Sequence, residues 1–89
     1  MSNANPPGAM ERFDYTAPAE MFMTRTKRMR RLPIAYRRFA TAAQAIQFAI
    51  EEVPAPLLVG AVMEVAEERF DHREIRALYD RTGYPLLRH

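Results

Sequence analysis

Cysteine and tryptophan are absent from this 89-residue chain, serine occurs once, histidine twice and glycine three times. Without cysteine there is no disulfide framework, no thiol nucleophile and no thiolate zinc site, and His72 and His89 do not build a histidine metal centre by themselves. The single serine, Ser2, lies in a stretch with no hydrophobic period, so a serine, histidine, acid triad lacks a nucleophile in any folded region. Gly8, Gly60 and Gly83 are too scattered for a phosphate-binding loop or a dinucleotide fingerprint. No apolar run approaches the ~20 residues of a membrane span, and the start MSNANPPGAM has neither a basic nor an apolar leader region. These absences predict a cytoplasmic protein that neither spans a membrane nor carries a cofactor or metal. They also predict that it is not an enzyme, because no nucleophile, base and orienting group can be named together.

What is present fits one small globular domain: 48% hydrophobic and 27% charged residues in a chain too short for two modules. Fourteen of the apolar residues are alanine, so large core-filling side chains are few. Residues 1–19 hold three of the seven prolines and no periodicity, which predicts a flexible N-terminal tail ahead of a single domain over 20–89. A domain of that size rarely gains more than ~3–5 kcal/mol from its core without disulfides, metal or a partner chain. Self-association is therefore expected.

The two-residue period of EMFMTRT predicts a strand over 20–26, with Met21 and Met23 alternating with Phe22 and Thr24. In LPIAYRRF the period recurs, placing Tyr36 and Arg38 on one face of a strand over 33–39, and Arg37 and Phe39 on the other. Pro33, which lacks a backbone donor, suits its start. Thr41 and Gln44 have capping-box spacing, and Ala42, Ile46, Ala49, Ile50 and Val53 make an apolar stripe, predicting a helix over 42–53 stopped by Pro54 and Pro56. Phe48 falls on the polar side of that stripe. In LLVGAVMEVAEERF the alternation and the valines lean toward a strand over 57–66, although EVAEER also favours helix. A second capping box, Asp71 and Glu74, predicts a helix over 72–82. Phe70 is poised to staple onto Ile75, Arg81 suits the last turn, Gly83 a left-handed exit and Pro85 the stop. The expected fold is α+β: a small two-layer domain of order β-β-α-β-α, with two helices on one face of a three-stranded sheet. The crossover through the first helix sets its third strand parallel to the second.

Over TAAQAIQFAIEEVPAPLL (41–58) and EERFDHREIRALYDRTGYPLLR (67–88) the sequence resembles a family of short bacterial cytoplasmic proteins of unassigned function. The resemblance implies a free-standing bacterial cytoplasmic protein and carries over no catalytic or binding residue.

Charge is unevenly spread. Residues 1–45 are net +5 and residues 46–89 net −3, and seven of the thirteen basic residues, six of them arginine, lie between Arg25 and Arg38. Arginine's planar fork suits phosphate, so Arg28, Arg30, Arg31, Arg37 and Arg38 form a candidate polyanion contact, with Tyr36 or Phe39 available to stack on a base. A plain solvated connection, or a surface that meets the acidic half of another copy, accounts for the same pattern. The acidic group Glu64, Glu67, Glu68 and Asp71 reads as a solvated face, and His72 as a partly exposed helix-start residue. A third candidate surface is apolar: Phe48, Met21, Met23, Tyr84 and Leu86 exceed what one small core easily covers, and mark a candidate interface. The sequence thus predicts a non-enzymatic interaction module that forms a homo-oligomer or binds a protein partner. The alternative is a weak nucleic-acid or polyanion binder working through the Arg-rich segment 25–38.

Overall fold

The structure is a computed structural model, and it describes residues 10, 12–23 and 36–87. Short strands β1 (Ala19–Phe22) and β2 (Tyr36–Phe39) are followed by helix α1 (Ala42–Glu51) and the single-turn helix α2 (Ala55–Leu58). Strands β3 (Val62–Val65) and β4 (Glu68–Asp71) and helix α3 (His72–Asp80) complete the domain. The class is α+β as expected, but the sheet has four strands in the order β2-β1-β3-β4, every neighbouring pair antiparallel. Because β2 and β3 both run antiparallel to β1, they point the same way with β1 between them. The expected crossover direction is present, while the expected adjacency of second and third strands is not.

Local chemistry explains the helices. Thr41 is the N-cap of α1, its hydroxyl accepting from the Gln44 N–H at 3.2 Å; only this half of the expected box forms. At α3 both halves form: Asp71 Oδ1 accepts from the Glu74 N–H and Glu74 Oε1 from the Asp71 N–H, each at 2.9 Å. Pro54 and Pro56 end α1 as expected, but they also start α2, because proline's fixed φ suits a first helical turn. That turn takes up residues expected in the third strand, and β3 shrinks to Val62–Val65. Helix α3 leaves by extended backbone at Arg81 (φ −69°, ψ 149°), and Gly83 does not adopt the left-handed conformation expected of it.

The inner sheet face carries Met21, Met63, Val65 and Phe70, all buried, and α1 and α3 pack over it and against each other. Residues expected in an N-terminal tail pack against this core. Phe13 meets Phe70 edge-on at a centroid distance of 5.1 Å, and Tyr15 donates to the Leu78 carbonyl at 2.8 Å. Tyr15 also packs against Tyr84 at 5.8 Å. Single aromatic anchors order this stretch, which is why it shows no period. The expected tail boundary at 19 is corrected for residues 12–18; residues 1–9 lie outside the described part. No helix among the described residues is long and apolar enough to cross a membrane.

Candidate functional site: the sheet face opposite the helices

Strand register sets what the second face of the sheet displays. Residues paired across neighbouring strands share a face, so two rows cross the sheet opposite the helices. One row is Tyr36, Phe22, Val62 and Asp71; the other is Arg38, Glu20, Glu64 and Arg69. The first row is apolar over three strands. Tyr36 is 49% exposed, Phe22 and Val62 are half-buried, and the Phe22 and Tyr36 rings lie 5.2 Å apart. The second row reads plus, minus, minus, plus. Glu20 and Glu64 face each other directly across β1 and β3, an unfavourable like-charge pair bracketed by arginines on the outer strands.

Polar contacts tie the β1 and β2 half together. Glu20 Oε2 accepts from the Tyr36 hydroxyl at 2.8 Å and lies 3.7 Å from Arg38 Nε. The hydrogen bond to that carboxylate raises the Tyr36 phenol above the ordinary tyrosine range. On the opposite side of β2 the Arg37 guanidinium sits over Phe39 at 5.0 Å and over Phe48 of α1 at 4.8 Å.

Of the candidate polyanion residues, Arg37 and Arg38 are exposed on β2 but point to opposite faces; Arg28, Arg30 and Arg31 lie outside the described residues. The candidate interface residues are mostly corrected. Met21, Met23 and Tyr84 are core residues, and Phe48, only 8% exposed, is capped by Phe39 and Arg37 from β2. Helix α1 is buried on more than one stripe because it packs against α3, β1 and β2 at once. Leu86 is half-buried against the same core.

The acidic residues are dispersed: Glu64 on the open face, Glu67 in the β3–β4 turn, Glu68 on the inner face and Asp71 at the cap of α3. Among the described residues no three acidic or histidine side chains gather as a metal-binding group. His72 is half-buried in the first turn of α3. Sequence periodicity had already put Tyr36 with Arg38 and separated Phe22 from Met21; which of the two sheet faces the helices cover required the tertiary arrangement. No protein-family model matches the chain, and neither the curated proteins nor the solved structures give a significant match.

Proposed function

We propose that this domain is a non-enzymatic interaction module that pairs with a second copy of itself through the open sheet face. The observation that supports this reading is the pair of rows on that face, apolar beside charged, with no described element across them. In an isologous contact each patch must complement itself. A two-fold axis along the strands, set over the boundary of β1 and β2, meets that requirement: it lays Tyr36 of one copy over Phe22 of the other, and Arg38 over Glu20, each contact made twice. The aromatic contact supplies the apolar burial, and the second arginine relieves the Glu20 and Glu64 repulsion.

Sedimentation velocity at ~50 µM should show a dimer for a weak, micromolar contact of this kind. Arg38→Glu should dissociate it, and the swapped variant Arg38→Glu/Glu20→Arg should restore it, because the reversed pairs remain self-complementary. A wild-type chain that stays monomeric overturns the reading, as does a swapped variant that stays dissociated.

Charge segregation supports a second reading, a weak polyanion binder. The described residues carry seven basic and ten acidic groups, whereas five basic residues fall within 24–35. Each arginine that neutralises a phosphate releases condensed counterion, so replacing Arg28, Arg30 and Arg31 by Gln should flatten the salt dependence of binding to mixed-sequence DNA by about two to three logarithmic units per decade of salt. A salt series by fluorescence anisotropy measures this, and an unchanged slope removes these arginines from any such site.

A further inference from the structure

Strand β2 ends the sheet, with β1 as its sole strand neighbour among the described residues. Three of its four residues, Tyr36, Arg37 and Arg38, are exposed, and among the described residues no strand pairs with the backbone donors and acceptors of its outer side. Immediately beside this edge, on the helix side, lies a depression of about 330 Å³ between β2 and α1, lined by two cations, Arg37 and Arg38, one carboxylate, Glu52, and by Phe39, Gln44 and Phe48 among others. Arg37 is the cation whose side chain lies on the helix side of β2. Two aromatic rings flank its guanidinium, and no carboxylate lies within ion-pair distance of it among the described residues. Gln44 is exposed and offers an amide donor next to it.

We propose that the edge of β2 takes up an extended acidic segment of a partner protein as a fifth strand. Addition of a strand supplies affinity through main-chain hydrogen bonds, and pockets for alternate side chains supply selectivity. Here the added side chain opposite Arg37 points to the helix side of the sheet, into the hollow. A glutamate or aspartate there gains a cross-strand charge pair and a guanidinium already oriented by its stack. Charged side chains on an edge strand repel basic or apolar strands, so the arginines that guard this edge also select an acidic one. This surface is separate from the open face proposed for self-pairing: it uses the free edge and the helix side of β2.

A fluorescein-labelled octapeptide of alternating Glu and Thr tests the proposal by anisotropy at low salt. Wild type should bind it saturably and should not bind the Lys-Thr counterpart. Arg37→Gln should weaken binding roughly ten-fold, and Arg37→Lys should fall between, since lysine keeps the charge and loses the planar fork. Because only one alternate set of amides faces β2, N-methylating the glutamates and N-methylating the threonines should have opposite outcomes, one abolishing binding and one sparing it. Absence of saturable binding overturns the proposal. So does equal binding of both N-methylated peptides, or an affinity indifferent to Arg37→Gln, either of which would assign the attraction to general charge alone. Circular dichroism confirms that each variant is folded, and repeating the titration with Phe22→Gln, which removes the aromatic contact of the open face on β1 and leaves β2 and its charges unchanged, separates edge binding from dimerisation.

Discussion

Replacement of Phe70 by alanine is expected to leave the domain largely unfolded at room temperature. Phe70 is fully buried on the inner face of β4, opposite Met63 in the sheet register and edge-on to Phe13. Truncation of a buried phenylalanine costs ~3–5 kcal/mol, combining lost transfer energy with the cavity left behind. A domain near this size draws only ~3–5 kcal/mol from its core, so the loss and the total stability are comparable. Few neighbours can collapse into the gap. The surrounding core is rich in alanine, and the larger side chains beside Phe70 each anchor another element: Phe13 holds the N-terminal segment, and Met63 holds β3. Each kcal/mol lost lowers the melting temperature of a domain this small by ~4–8 °C. Thermal unfolding followed by circular dichroism checks the expectation, and a cooperative transition within ~10 °C of wild type would refute it.

Phe70 also shows where the sequence was informative. Its position before the Asp71 cap marked it as a buried staple residue, and α3 starts one residue later. Helix starts were legible because a cap is a local device: the threonine or aspartate oxygen and the amide it accepts lie three residues apart, and nothing distant intervenes. The alternation of Met21 with Phe22, and of Arg37 with Arg38, was legible for the same reason. The inner and outer faces were not assigned by it, since a period of two says that residues alternate and leaves open which set is covered. Phe48 illustrates the consequence. A helical wheel sets it apart from the apolar stripe, and its cover comes from Phe39 and Arg37 on β2, a contact between separate elements that no periodicity encodes. The N-terminal segment escaped detection similarly, because Phe13 and Tyr15 are half-buried by contacts with β4, α3 and Tyr84 far along the chain.

For the proposed sites, part of the signal was in the sequence and part in the topology. Tyr36, Arg37 and Arg38 stood out by composition alone. Their split into a pair on one face and a single cation on the other is the strand alternation itself; that they stand at the edge of the sheet depends on β3 taking its place on the far side of β1. Arg37 and Arg38, adjacent in sequence, therefore belong to two different surfaces rather than to one basic patch.

Strand β4 was hidden for a chemical reason that yields the final prediction. Its hairpin with β3 turns through Ala66 and Glu67, whose φ values are +52° and +69°. A two-residue turn with both central residues at positive φ is of the primed type that matches strand twist, and Asn-Gly or Asp-Gly is the usual signal for it. Neither is present here. An alanine and a glutamate in this conformation each place Cβ against backbone, at ~1–2 kcal/mol per residue. Ala66→Asn/Glu67→Gly should relieve most of that strain; glycine's extra freedom in the unfolded chain returns ~0.5–1 kcal/mol, leaving a net stabilisation of ~1–2 kcal/mol and a melting temperature higher by at least ~5 °C. Ala66→Val should move it the other way, because a β-branched side chain resists positive φ more strongly than alanine does. Equal melting of the three proteins would show that the turn is relaxed. The stabilised variant also probes the open face, since the turn joins β3, with Glu64, to β4, with Arg69. Strain kept at a binding surface is relieved at the expense of function. If the Asn-Gly variant dimerises as wild type does, the strained turn serves only to close the hairpin; if it dimerises less well, the turn sets the tilt of β4 and the placement of Arg69 beside Glu64.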